Sequence, residues 1–428
     1  MNVPDPYFSA TTGQPAPVLQ ALIGQPPAGW MILLWDVTLV MFVFLGLVSV
    51  VGFIGIWAER KVAGRIQHRH GPNRVGPVGL LQSLADGIKL VSKEDLTPTR
   101  ADRRLFFLAP YLAFAPVFAA FMALPFGPDF IFDRTLSVSL LWVLAILGVE
   151  VIGVILAGWS SNNKWSVYGG MREACQLISY EIPLGLSMLV VVLAVGTLDL
   201  LKLSALQADG LQHWLVFRQP FIALAFVLFF IASLASNKRA PFDLPESDSE
   251  LVAGYHTEYS GLRFSLFYLA EYNAMFVMSG VMAVLFLGSW ADPFGLIARG
   301  YVRSRDAGDR WTPLLWNAAA AGVFTTKCAA LMFVQMWVRW TLPRPRIDQV
   351  LHVCVKVMVP ASLALLLGSA IWELLVRNGS IVERATRLIL AAGGVAIMVA
   401  MAGLIVAAFL GGRQNQQRLF SVRPAGGG

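Results

Sequence analysis

Six carboxylates crowd one polar segment that lies between two long apolar runs. The stretch from Ser236 to Tyr272 reads SNKRAPFDLPESDSELVAGYHTEYSGLRFSLFYLAEY. From Asp243 onward it holds Asp243, Glu246, Asp248, Glu250, Glu258 and Glu271, with Arg263 as the only cation in that span. Carboxylates at this density repel one another and resist ionising together, which suits a surface that holds protons. A helix starting after Pro245 would put Asp243, Glu246 and Glu250 on one face at i, i+3 and i+7. The local reading is a capping box, with Asp243 as N-cap, proline in the first turn and Glu246 reaching back. Asp243 is assigned to capping; Glu246, Asp248 and Glu250 exceed what capping needs and are assigned to function.

Three acids, one of them already in that segment, lie in or beside apolar runs. These are Glu150, Glu181 and Glu271, and a charge at the bilayer centre costs roughly 2.5 to 3.5 kcal/mol even on the mildest scale. Acids kept there are candidates for proton uptake and release. Two readings fit Glu150 equally, proton exchange and a hydrogen bond to a neighbouring helix. Lys327, in another apolar run, is read as the counterion of one of these acids or as a snorkelling side chain.

The elements that position these groups follow from composition. The chain has 428 residues, 57% hydrophobic and 14% charged, against roughly 25% charged in soluble domains, so it is read as an integral membrane protein. Apolar runs of about 20 residues suggest nine spans near 33–57, 105–125, 138–159, 177–198, 219–235, 266–290, 314–338, 357–376 and 386–411. The expected fold is an all-α polytopic transmembrane helical bundle. Its parts are an N-terminal periplasmic tail over 1–32, an eight-span domain over 33–376, an additional helix over 377–411 and a cytoplasmic tail over 412–428. The N-terminal tail has no basic region before an apolar one, which opposes a signal peptide. No internal repeat marks a transporter built from duplicated halves.

Alternate connections place the chain in the bilayer. Those after spans one, three, five and seven, with the C-terminal tail, hold about twice the Lys and Arg of the opposite set, so they are read as cytoplasmic. The net charge of +7 belongs to that inner surface and not to a nucleic-acid site. The first such loop, Glu59 to Arg104, is the longest and most basic. Within it Gly79 to Val91 suits a short amphipathic helix at the interface, preceded by a rigid GPNRVGP turn. On charge alone Arg60, Lys61, Arg65 and Arg69 are topology signals. His68 and His70 read as solvated loop residues or partner contacts; His256 reads as a tuner of the acidic cluster or a structural hydrogen bond. Cys175, Cys328 and Cys354 are too scattered for a metal, iron–sulfur or disulfide framework.

The motifs carry a resemblance. ERK at Glu59–Lys61, GPNRVGPVGLLQ at Gly71–Gln82, ADGIKL at Ala85–Leu90, GWSSNNKW at Gly158–Trp165, ISYEIP at Ile178–Pro183 and RAPFDLPESDSELVAGYHTEYSG at Arg239–Gly261 resemble the quinone-site membrane subunits of respiratory complex I. That is a family within the proton-pumping NADH-quinone oxidoreductases, and the likeness covers about residues 33 to 375. It implies a multi-pass subunit of the bacterial inner membrane with a periplasmic N-terminus and a chamber for quinone. Electron carriers, the iron–sulfur clusters and FMN, would belong to partner subunits, hydrophilic ones at the cytoplasmic face, with small membrane subunits alongside. Carried over by motif, Arg60, Arg65, Arg69, Asp86, Lys89, Arg263 and Phe264 would line or guard the chamber. Glu150 joins Glu181, Glu246, Asp248, Glu250, Glu258 and Glu271 as the expected proton path; no catalytic or metal-ligating residue is expected in this chain. The sequence departs from the family at Ser236, where an acid is frequent, at Ser83 for proline and at Asp248 for glutamate. An anchor subunit of an energy-converting hydrogenase is the nearest alternative, and a proton-coupled transporter a more distant one.

Overall fold

The computed structural model describes residues 45–131, 136–245, 248–306 and 311–376, together with isolated positions between 30 and 38 and between 382 and 393. Of Asp248 and Ser249 it describes the backbone alone. The expected N-terminal tail, most of the ninth span, the C-terminal tail and Glu246 therefore lie outside the described residues.

Apolar composition on all sides, with no polar stripe, favours helices that satisfy every backbone group internally and are surrounded by lipid or by other helices. Among the described residues there is no strand. The long helices are α1 (Leu45–Ile66), α3 (Arg103–Ala120), α4 (Ser139–Ser160), α5 (Lys164–Val195), α7 (Pro220–Ser236), α9 (Gly261–Phe286), α11 (Thr312–Thr341) and α12 (Ile347–Leu375). Shorter ones are α2 (Gln82–Ser92), α6 (Leu200–Leu206), α8 (Asp248–Leu251) and α10 (Leu296–Asp306). Six of the long helices are long and apolar enough to cross a membrane, and α7 is apolar but shorter. The molecule is an all-α, multi-pass membrane protein.

Helix α9 is the core of the bundle. Its residues from Ala270 to Phe286 are all buried, and α3, α7, α11, α1 and α2 pack around it. Phe276 stacks on Phe121 with centroids 5.4 Å apart, and Phe126 meets Phe324 edge to face at 5.1 Å. Outward faces carry Leu141, Ile152, Ile155 and Trp159 of α4, as lipid-facing surfaces do.

Helix α5 begins earlier than hydropathy suggests. The polar residues Arg172, Glu173 and Gln176, expected in a connection, are helical. The reason is that their polar groups find partners: Gln176 Nε2 donates to the carbonyls of Ala235 and Phe242, both at 2.8 Å. Asn163 caps the helix, accepting from Trp165 N at 3.1 Å. The GPNRVGP turn leads into α2 as expected. At Gly79, φ is +74° and a Cβ would lie 2.0 Å from the Pro72 carbonyl oxygen, so only glycine fits.

Candidate functional site

One line of charged groups runs from α2 to a cavity between α4, α5, α7 and α9. It starts where α1 meets α2. Arg60 Nη1 pairs with Asp86 Oδ2, Gln82 Nε2 donates to Asp86 Oδ1 at 3.2 Å, and Lys89 Nζ stands 3.9 Å away. These groups are partly exposed and are available to a ligand. Lys61 reaches across to the Asn73 amide oxygen and fixes the turn against α1.

The residue before Arg60 belongs to a buried network. Glu59 Oε2 accepts from Arg239 Nη1 at 2.8 Å and from the Tyr272 hydroxyl at 2.6 Å, while its other oxygen accepts from Arg339. Arg239 Nε also lies 3.0 Å from Glu271 Oε1, and its guanidinium covers the Tyr272 ring at 4.3 Å. Burial works against the charge on Arg239, but Glu271 and Glu59 outweigh it and hold the guanidinium protonated. Next to this network Asp243 pairs with Arg344 at 3.0 Å; burial raises its pKa, while Arg339 and Arg344 oppose that.

The residue before Arg239 turns the other way. Lys238 Nζ lies 3.0 Å from Glu150 Oε1 and 2.6 Å from Glu173 Oε1, with all three residues buried. Beside it a cavity is lined by Glu150, Glu181, Ser236 and Asn237 among apolar residues that include Leu177 and Met278. Gly148 leaves room for Glu181, whose Oε1 would lie 3.3 Å from a Cβ there. Asn237 continues the polar line to Gln335 at 3.2 Å, and Gln335 to Ser279 at 3.2 Å.

The remaining expected residues are dispersed. Arg263 pairs with Asp95 at 2.8 Å and lies 3.5 Å over Phe107. Phe264 packs against His256 and Tyr268 with centroids 5.4 and 4.7 Å apart. Arg65 and Arg69 are exposed, the latter bonded to Gln67 at 2.6 Å. Glu250 pairs with Arg172, and Glu258 accepts from Asn163 at 2.7 Å. Thus Glu59, Lys238, Arg239, Glu173 and Arg339 join the site without having been singled out from sequence.

Two expectations are corrected. Leu244 and Pro245, which follow Asp243, are not helical, so Asp243 is not an N-cap and does not share a helical face with Glu250. Asp243 is held instead by Arg344 from the α11–α12 connection. Lys327 is not a counterion of the intramembrane acids. Its ammonium donates to the carbonyls of Leu287, Ser289 and Ala291 at 2.6, 2.8 and 2.6 Å, because the C-terminus of α9 leaves those oxygens without helical partners. Glu181, which lines the cavity, also has an exposed outer surface.

Known proteins resemble the chain over most of its length. The family profile described as NADH dehydrogenase matches residues 37–370. The H subunit of the NADH-quinone oxidoreductase of Chlorobium luteolum is 42% identical over 83% of this chain and 93% of its own length. The corresponding subunit of Chlorobaculum tepidum is 43% identical over 82% of this chain and 94% of its own, and that of Bacillus cytotoxicus 45% identical over 76% and 92%.

Proposed function

The chain belongs to the NADH dehydrogenase family, among the H-type membrane subunits of complex I, and on that premise we propose that it shapes part of a quinone chamber and carries protons away from it. One observation supports this reading above the others. Consecutive residues Glu59 and Arg60, and again Lys238 and Arg239, link the exposed Arg60–Asp86 pair through the buried Arg239 network to the cavity at Glu150 and Glu181. A quinone needs apolar surface for its tail and polar groups for its two carbonyls. Leu84, Ile88 and Val91 give α2 an exposed apolar face, and Asp86 and Lys89, joined by Arg60 of α1, supply polar groups on the other side of the same helix.

Reduction of a quinone to the quinol consumes two protons with two electrons, and the electrons arrive from partner subunits that hold the iron–sulfur clusters and FMN. This chain contributes no redox centre in the proposal. Its residues orient the headgroup and pass charge inward through Glu59, Glu271 and Glu150. Glu250 and Glu258 border the line through Arg172 and Asn163, and Glu246 and Asp248 stay candidates on sequence grounds. The setting is the bacterial inner membrane, with the N-terminus periplasmic and hydrophilic partners on the cytoplasmic face.

The test is isolation of the tagged chain with its partners and an assay of NADH-dependent quinone reduction blocked by a quinone-site inhibitor. The Arg60–Asp86 pair is exposed, so Arg60→Ala or Asp86→Ala costs about 0 to 1 kcal/mol of stability and leaves the complex assembled. The same changes are expected to raise the apparent KM for quinone about tenfold, the equivalent of roughly 1.4 kcal/mol of binding. An unaltered KM removes the pair from the chamber, and co-purification of nickel-containing subunits would replace the quinone reading with a hydrogenase anchor.

A further inference from the structure

The connection between α9 and α11 carries charge that sidedness does not account for. It belongs to the set of connections poorer in Lys and Arg, yet it holds Arg299, Arg303, Arg305 and Arg310 and no lysine. Arginine grips phosphate through two parallel hydrogen bonds, whereas lysine acts as a point charge. Helix α10 presents two of these arginines from a fixed base. Its inner face, Ile297, Ala298, Tyr301 and Ser304, is buried, and it packs on α11 so closely at Gly300 that a Cβ there would overlap the Trp316 ring. The Tyr301 hydroxyl donates to Asp129 at 2.6 Å. Asp292 turns inward as well, accepting from the backbone nitrogens of Leu296 and Ile297 at 2.9 Å each, so it is engaged at the start of the helix and not on the outer face.

The outer face is exposed and sets Leu296, Arg299 and Arg303 at i, i+3 and i+7, with Asp306 and Asp309 only beyond them. This face adjoins the membrane boundary. Helix α11 is long and apolar enough to span, its first turn exposes Leu315, and Trp311 just before it is 57% exposed, an aromatic placed as headgroup-level anchors are. We propose that the outer face of α10 binds the phosphate of an anionic phospholipid, with Arg299 and Arg303 bracketing the headgroup and Leu296, Trp311 and Leu315 against its apolar part. A protein partner would need its own acids matched to a patch beside the bilayer, whereas lipid phosphates lie all along that depth. Binding there needs neither quinone nor a proton path.

The experiment uses the intact complex in liposomes that carry a photoreactive phosphatidylglycerol or a phosphatidylcholine with the same acyl chains, each bearing a diazirine near the glycerol. Labelled peptides are identified by mass spectrometry. In the wild type the anionic probe is expected to label α10 and the start of α11 about tenfold more than the zwitterionic one, and added salt is expected to shrink that preference. Arg299→Gln combined with Arg303→Gln should remove most of the preference at α10 while labelling of the exposed face of α12 persists. Equal labelling of α10 by the two probes in the wild type would overturn the proposal, and so would a preference that survives the double substitution. Cross-linking of α10 to a neighbouring subunit in place of lipid would overturn it in favour of a protein interface. Should the double variant fail to assemble, the wild-type comparison and its salt dependence decide by themselves.

Discussion

Arg239 gathers more buried charge than its neighbours in the sequence suggest. It touches Glu59 and Glu271, covers Tyr272, and is 2% exposed, so removing its charge takes away a buried cation that two acids share. Breaking a buried ion pair by deleting one partner costs roughly 3 to 5 kcal/mol. We expect Arg239→Met to abolish or strongly destabilise the assembled complex, followed by its thermal melting after purification. Tyr272→Phe deletes one hydrogen bond, of 2.6 Å, and leaves Glu59 with its two arginines; a loss of about 1 to 3 kcal/mol and a smaller fall in melting temperature are expected. Equal melting of Arg239→Met and wild type would show that the network is not holding the fold. The pattern of acids was legible in sequence, but their partners were not. Glu59 and Arg239 are 180 positions apart and Glu150 and Lys238 are 88 apart, and no periodicity links residues on different helices. Density of charge drew attention to Glu250 and Glu258, which the fold engages with Arg172 and Asn163, and away from the single acid in the ERK motif.

At the level of helices, hydropathy located the spans well because a membrane helix announces itself by length and composition. It placed the sixth near 266–290 and the seventh near 314–338, against Gly261–Phe286 and Thr312–Thr341 in the structure. It failed at α5, whose first three turns are polar and are helical through partners on other elements. Helix pairing was also invisible, since it depends on small residues at close approaches. Between α3 and α4 that approach occurs at Gly153, where a Cβ would lie 2.5 Å from the backbone nitrogen of Ala113. Gly153→Val must force the two helices apart, at a cost of about 1 to 3 kcal/mol for overpacking. We expect lower melting temperature and looser retention of the α4 acid Glu150, seen as reduced quinone turnover that worsens on mild heating. Gly185, whose Cβ would meet nothing within 4 Å, provides the control, and Gly185→Ala should melt as the wild type does. If the two substitutions behave alike, the α3–α4 contact is not limiting.

Across the molecule, the connections that hold most of the expected site residues hold one another at one end of the bundle. Arg263 at the start of α9 pairs with Asp95 after α2, Asn163 before α5 bonds Glu258 before α9, and Arg344 before α12 pairs with Asp243 after α7. The opposite end has its own polar set, where Asp129 accepts from Asn317 Nδ2 at 2.9 Å and from the Tyr301 hydroxyl at 2.6 Å, and where Lys327 closes the end of α9. This division was legible from the uneven distribution of Lys and Arg, because alternate connections must share a side of the membrane. Which contacts join them was not, for the same reason that distant ion pairs were not. The sidedness yields a direct expectation. Lys93, after α2, and Phe294, before α10, are both exposed, and of the three cysteines only Cys175 is exposed. In a Cys175→Ser background, Phe294→Cys should react with a membrane-impermeant maleimide added to spheroplasts, whereas Lys93→Cys should react only after the membranes are inverted. Labelling of Lys93→Cys from outside, with Phe294→Cys protected, would reverse the orientation. It would put the Arg60–Asp86 pair on the side away from the proposed cytoplasmic partners and remove the quinone chamber from its proposed place.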